Sequence, residues 1–220
     1  MTRTEVNQYI AYAMDFMATH HFYLPEWAFW SPAQWNENKE KCTEIATTGM
    51  GWDITDFGSE DFLKTGLTLV TLRNGKLNTP SKPYCEKIML VRKNQVTPHH
   101  YHVLKTEDII NRGGGILCMK LWNSNAQGEL VEGDLTVSVD GISTVIKSGS
   151  LFTLRPGQSI CYTPGLYHTF WAEEDDCLVG EVSSVNDDKT DNYFLLKQGR
   201  FSRIVEDEAI AHYLCNEYPF

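Results

Sequence analysis

From Gly49 onward the chain is cut into short apolar or alternating runs by glycine, asparagine, aspartate and proline, and this punctuation commits it to an antiparallel sandwich or barrel. The run at 67–72 stops at Arg73-Asn74-Gly75, the run at 87–91 at Lys93-Asn94, and the run at 135–139 at Asp140-Gly141. Further runs are read at 115–122, 150–154, 159–163, 167–172 and 177–183. No repeat of solenoid period and no low-complexity segment interrupts this texture.

Ahead of the strands the signals are helical. Thr2 with Glu5 makes a capping-box pattern, and Val6, Ile10, Ala13, Met14 and Met17 follow on one face. Ser31 as N-cap, Pro32 at the first helical position and Gln34 two residues on predict a second helix running to about Thr47. Between them, residues 20–30 form an aromatic connection, read as packing under a loop or, more sharply, as the wall of a pocket or a subunit contact. With 220 residues, 42% of them hydrophobic, the expectation is one domain over 1–220. Its parts are a helical extension at 1–48, a β-barrel at 49–204 and a tail at 205–220 packed on the barrel.

A net charge of −10 argues against nucleic acid and anionic membrane surfaces, which need a concentrated positive field. The expected partner is a small neutral molecule. Residues 1–20 carry Glu5 and Asp15 and no signal-type apolar run, and no stretch approaches the roughly eighteen apolar residues of a membrane span. Cys42, Cys85, Cys118, Cys161, Cys177 and Cys215 are scattered without C-x-x-C spacing and read as reduced core thiols, which fits the cytoplasm.

The chemistry-bearing residues concentrate in two segments. Alternate residues of a strand share a face, so His100 and His102 can both point into a barrel while Tyr101 points away. Glu107 then returns from the following turn, and His168 arrives on a strand entered through Pro164-Gly165. His99 reads as a hydrogen-bonded or outward-facing neighbour. Three neutral nitrogens and one carboxylate leave two positions of an octahedral shell open, which suits Mn²⁺, Fe²⁺ or a similar ion rather than a closed structural zinc. An open site implies chemistry on a bound ligand.

These residues carry a resemblance. His100-x-His102-x4-Glu107-x5-Gly113 resembles the first cupin motif, and Gly157 through Pro164-Gly165-x-x-His168 resembles the second, although Pro164 abuts Gly165 where the general pattern places a residue between them. The segments 51–58, 86–91, 97–98, 105–115, 164–171, 180–188 and 215–219, nearly the whole chain, look like the D-lyxose isomerase family of cupins. The resemblance implies a mainly β fold, a cupin double-stranded β-helix (jelly-roll) barrel with N-terminal helices. It also implies a divalent-metal aldose–ketose isomerase, most often Mn²⁺-dependent with Fe²⁺, Co²⁺ and Zn²⁺ as alternatives. Such enzymes interconvert D-lyxose with D-xylulose, and commonly D-mannose with D-fructose, usually as homodimers.

Isomerisation through a cis-enediol moves a proton from C2 to C1 while an electrophile holds the developing charge. His100, His102, Glu107 and His168 are the expected ligands, and the base must stand beside them without being consumed by them. Glu181 is the leading candidate, because it interrupts an apolar run at 177–182 where a solvated carboxylate is out of place; the plainer reading is a structural salt bridge. Lys87, inside another apolar run, binds a sugar oxygen or steadies the enediolate unless its stem simply runs to solvent. Lys105, Asp188 and Asp191 are weaker candidates for substrate binding, with a surface residue as the plainer reading of Lys105 and solvated loop acids as that of the two aspartates. The competing functions are a cupin dioxygenase and a non-catalytic sugar-binding cupin. A cupin phosphosugar isomerase would need clustered cations, and Arg112, Arg155, Arg200 and Arg203 form no tight cluster in sequence.

Overall fold

The computed structural model describes residues 1–196 and 199–220. Helix α1, Arg3–Thr19, begins with the expected capping box: Thr2 Oγ1 accepts from the Glu5 amide at 3.2 Å and Glu5 Oε2 accepts from the Thr2 amide at 2.7 Å. Val6, Ile10, Ala13 and Met17 are buried, whereas Met14 is only partly so. Helix α2, Pro32–Asn38, is capped by Ser31 and Gln34 as anticipated but does not continue to Thr47. A 3₁₀ turn at Lys39–Lys41 intervenes before a short α3, Thr43–Thr47. Trp35 is the one buried residue of these three elements, so no apolar stripe holds the later turns in register with the first.

The strands follow in chain order. The first four are β1 (Gly51–Thr55), β2 (Leu67–Arg73), β3 (Tyr84–Val91) and β4 (Thr97–Tyr101). The long β5 (Glu107–Ser124) precedes β6 (Leu130–Val131), β7 (Asp134–Val139), β8 (Ile142–Lys147), β9 (Phe152–Leu154) and β10 (Ser159–Tyr162). The second long strand, β11 (Leu166–Ser184), is followed by β12 (Tyr193–Phe194). All pair antiparallel in the order β1-β2-β3-β11-β5-β10-β7-β8, with β4 on β11 and β12 on β4. Asp140 and Gly141, both at positive φ, turn β7 into β8 as their dipeptide signals.

The runs read separately at 167–172 and 177–183 are one strand. β11 pairs with β4 in its first half, with β3 in its second and with β5 throughout, and its register slips between Glu173 and Cys177, where Glu174 takes φ 68°. On the partner strand Gly114, at φ 85°, lies so close to the Asp176 carbonyl that a Cβ would collide with it. The slip has a consequence for the interior. His168 and Glu181 are an odd number of residues apart and would face opposite sides of a regular strand; the bulge restores one face, so Phe170 and Ala172 before it and Cys177 and Val179 after it share the barrel core.

A second core lies between the helices and the outer face of the sheet. On β3, Ile88 and Leu90 point to α1, whereas Lys87, Met89 and Val91 point inward. Burial on both faces is why this run reads as continuously apolar. The aromatic connection belongs to the outer layer: Trp52 Nε1 donates to the Ala28 carbonyl at 2.8 Å, and Trp35 packs against Trp30 and Tyr218 with centroids 5.0 and 4.7 Å apart. Among the described residues, none of 20–30 lines the interior cavity. Four of the six cysteines are buried, two are partly buried, and none forms a disulfide. No helix among the described residues is long and apolar enough to cross a membrane.

The tail is anchored to α1 by one buried guanidinium. Arg3, 1% exposed, binds Glu206 through Nε at 2.9 Å and Nη2 at 2.7 Å, and Glu217 through Nη2 at 2.5 Å. Val205 and Met1 add a backbone bond, and Cys215 donates to the Trp52 carbonyl at 2.7 Å. Arg3→Ala is expected to remove charge-assisted bonds and lower stability by roughly 2–3 kcal/mol. Urea titration of the two proteins measures this, and an unchanged midpoint would show that the tail holds without the clamp.

Candidate active site

His168 of β11 faces His100 of β4 directly across the strand pair, and their Nε2 atoms are 2.9 Å apart. His102 lies one residue beyond the end of β4, so its place is set by neighbours rather than by the ladder. The Gly165 amide donates to its carbonyl at 2.7 Å, with Gly165 at φ 83° in the turn that leads to His168. The Pro-Gly signal therefore positions two imidazoles, one on each side of the turn.

Each imidazole is held through Nδ1 by a backbone carbonyl: His100 by Pro98 at 2.8 Å, His168 by Leu166 at 3.0 Å and His102 by Asp191. A carbonyl oxygen can only accept, so every Nδ1 carries the proton and every Nε2 turns a lone pair inward. The three imidazole nitrogens lie within 4.8 Å of one another, and His102 Nε2 is buried without a hydrogen-bond partner among the described residues. Lone pairs facing one another at 2.9 Å repel unless a cation lies between them, so this donor set fits a metal ion. Burial keeps the imidazoles in the neutral, ligating form, holding His102 at about 3, His168 at about 4 and His100 well below its ordinary value.

Glu107, the first residue of β5, stands beside the triad with Oε1 3.2 Å from His168 Nε2 and 3.6 Å from His102 Nε2. Its other oxygen is 2.5 Å from Lys105 Nζ. Lys105 is thus not the surface residue its turn suggested. It is 4% exposed, and Nζ also reaches Glu181 Oε1 at 3.0 Å. Burial would lower its pKa, yet the carboxylates of Glu107 and Glu181 raise it above the ordinary value. Burial would likewise raise the Glu107 carboxyl, but the Lys105 ammonium and the flanking imidazoles hold it well below the carboxylate range.

Lys87 and Glu181 are direct cross-strand partners in the β3–β11 ladder. Both are buried, with Nζ 3.4 Å from Oε2, and Ser183 Oγ donates to Glu181 Oε1 at 3.0 Å. Lys87 does not run to solvent, and Glu181 makes the salt bridges of its plainer reading, with Lys87 and Lys105 inside the cavity. Carboxylate and ammonium alternate along Glu107, Lys105, Glu181 and Lys87, and Asn186 Oδ1 accepts from Lys87 at 2.7 Å and Lys105 at 3.3 Å. The Asn74 side chain fixes Asn186 in turn, accepting from its amide at 3.0 Å and donating to its carbonyl at 2.9 Å.

The two aspartates proposed for sugar contact separate. Asp188 lines the cavity, bound at 3.0 Å to Arg200, whose Nη2 also lies 2.6 Å from buried Asp53. Asp191 corrects the sequence reading: its carboxylate accepts from the amides of Val103 at 2.7 Å, Leu104 at 3.1 Å and Lys105 at 2.9 Å. Those bonds turn it to the loop and away from the cavity, where it shapes the His102 surroundings. His99 packs against Trp122 with centroids 5.1 Å apart and the rings tilted by 54°, outside the triad. Asn186, Asn192, Thr97 and Arg200 escaped sequence reasoning because isolated polar residues in loops and strand starts have no spacing signature.

The imidazoles give the metal-free protein a defined acid response. Unfolded, each titrates near 6.5; folded, His102 and His168 titrate near 3 and 4, so between these values the unfolded chain binds more protons. Stability falls as pH drops through this window. Between pH 7 and 5, above the carboxylate range, the urea midpoint of the chelated protein is expected to decline, and less steeply in His102→Gln. A flat midpoint would refute buried neutral imidazoles.

Comparison with known proteins places this geometry. Solved L-ribose isomerase from Cellulomonas parahominis superposes with a TM-score of 0.62 at 13% identity, covering 93% of this chain and 98% of that one, a likeness of fold. Proteins named D-lyxose/D-mannose isomerase from Escherichia coli O157:H7 and Serratia proteamaculans are 48% and 47% identical, each alignment covering 99% of this chain and 98% of the relative. The family model described as D-lyxose isomerase matches residues 1–218, so the barrel is cupin-like and the chain belongs to the D-lyxose isomerase family.

Proposed function

We propose that this protein is a metal-dependent aldose–ketose isomerase that interconverts D-lyxose with D-xylulose, and D-mannose with D-fructose, through a cis-enediol. The observation that carries the reading is the convergence, in one cavity with an apolar floor, of three inward lone pairs with a buried carboxylate flanked by two ammonium groups. The names of the relatives at 48% and 47% identity support the choice of sugars.

In this reading His100, His102 and His168 hold a divalent ion, with Glu107 Oε1 as the fourth ligand. The ion, Mn²⁺ by preference with Fe²⁺, Co²⁺ and Zn²⁺ as alternatives, would polarise the sugar oxygens at C1 and C2. Glu181 takes the proton from C2 and returns it to C1 on the same face, while the O2 proton passes to O1 as C2 becomes the carbonyl. Lys87 and Lys105 hold that carboxylate in place and offer N–H donors to the oxygen that gains charge. Asp188 orients the sugar through Arg200. The site's three cations, Lys87, Lys105 and Arg200, are matched by Glu107, Glu181, Asp53 and Asp188, so no surplus positive charge awaits a phosphate. That balance favours a neutral sugar.

The family resemblance supports a homodimer, and the unpaired thiols support a reducing compartment, the cytoplasm. Chelation followed by Mn²⁺ is expected to abolish and restore exchange of the C2 proton of D-lyxose and D-mannose with solvent, observed by NMR. Oxygen uptake during turnover would instead indicate a dioxygenase, and sugar binding without exchange a non-catalytic protein. Glu181→Gln is expected to lower kcat about 10²- to 10⁴-fold with metal content retained. Turnover near the parental value would remove Glu181 as the base.

A further inference from the structure

Among the described residues, four polar atoms of side chains that line the cavity are buried without a hydrogen-bond partner: His102 Nε2, Thr97 Oγ1, Asn192 Oδ1 and Arg200 Nη1. Leaving such atoms unpaired is costly, and a folded chain keeps few of them. The imidazole nitrogen is accounted for by the metal site. The other three atoms take no part in the bonds that hold their residues in place, and their neighbours on the cavity wall include Leu67, Leu69, Met89 and Phe170.

We propose that Thr97 Oγ1, the Asn192 amide and Arg200 Nη1 bind the hydroxyls of the open-chain sugar beyond the two carbons that exchange hydrogen. The inference rests on the isomerase reading and deepens it. A hydroxyl both donates and accepts; threonine offers both functions, an amide offers one at each end, and a guanidinium donates only. That mixture matches a row of vicinal hydroxyls better than it matches an anion, which would demand donors alone.

Each group is fixed relative to the reacting centre. Thr97 opens β4, the strand that carries His100, and its carbonyl accepts from Thr169 next to His168 at 2.7 Å. Asn192 follows Asp191, which holds His102 Nδ1 and the amides of residues 103–105. Arg200 is gripped by Asp53 and Asp188, and its carbonyl accepts from Thr55 Oγ1 at 2.8 Å. A hydroxyl presented to the apolar wall would lose its hydrogen bonds, so these three groups hold the far end of the carbon chain in the cavity.

Removing Arg200 would strand two buried carboxylates, so the test uses Thr97→Val, which keeps the shape, and Asn192→Ala. Both Mn²⁺-loaded variants and the parent are assayed on D-lyxose, D-mannose and deoxy analogues that each lack one hydroxyl beyond C2. Metal content and melting temperature confirm folding. At least one variant is expected to raise KM for a parent sugar about tenfold while kcat changes less than twofold. The same variant should lose little more on the analogue that lacks the hydroxyl it binds. Parental KM in both variants, or penalties that multiply independently for every analogue, would overturn the inference with the isomerase reading intact. A parent enzyme that neither turns over nor binds any of these sugars would overturn both.

Discussion

The register of β11 is the constraint on which the rest of the molecule depends. One strand carries His168 opposite His100 at one end and Glu181 opposite Lys87 at the other, and the slip between Glu173 and Cys177 keeps both on the interior face. Without a slip between them, either the imidazole or the carboxylate would turn into the helical layer among Val70, Ile88 and Leu178. Gly114 on β5 makes the bulge sterically feasible, because only a residue without Cβ tolerates the approach of the Asp176 carbonyl. The histidine cluster and Glu181 are therefore linked through one strand of covalent backbone.

The same interior must hold buried charges. Two ammonium groups, a guanidinium and four carboxylates stand next to a core of leucine, methionine and phenylalanine, where an unpaired ion would be expelled or neutralised. The protein meets this by alternating signs along Glu107, Lys105, Glu181 and Lys87, and by a neutral acceptor, Asn186 Oδ1, that takes further donors from both lysines. Removing one member leaves its neighbour uncompensated, so site residues are also stability residues. Outside the barrel, Arg3 performs a comparable task with Glu206 and Glu217, tying the first helix to the tail.

Much of the architecture was legible before any coordinates. Capping boxes at Thr2 and Ser31 marked helix starts, Asp140-Gly141 marked a hairpin, and the histidine spacing marked the cupin motifs, because each depends on residues close in sequence. What escaped depended on partners far away. The second helix broke after Asn38 because no continuous apolar stripe runs through its later turns, and two runs fused into β11 because a bulge can continue a ladder across an acidic turn.

The candidate site divides along the same line. His100, His102, His168, Glu107, Glu181 and Lys87 were identifiable from the sequence by itself: ligand spacing is local, and a charge within an apolar run signals burial whatever surrounds it. Tertiary structure alone decided that Glu181 lies opposite Lys87, that Lys105 is buried between two carboxylates, and that Asp191 spends its oxygens on loop amides. It also brought Thr97, Asn192 and Arg200 to one wall. The physical reason is that a side chain's own chemistry is written in its residue type, whereas its pairing depends on which distant backbone the ladder's register sets against it.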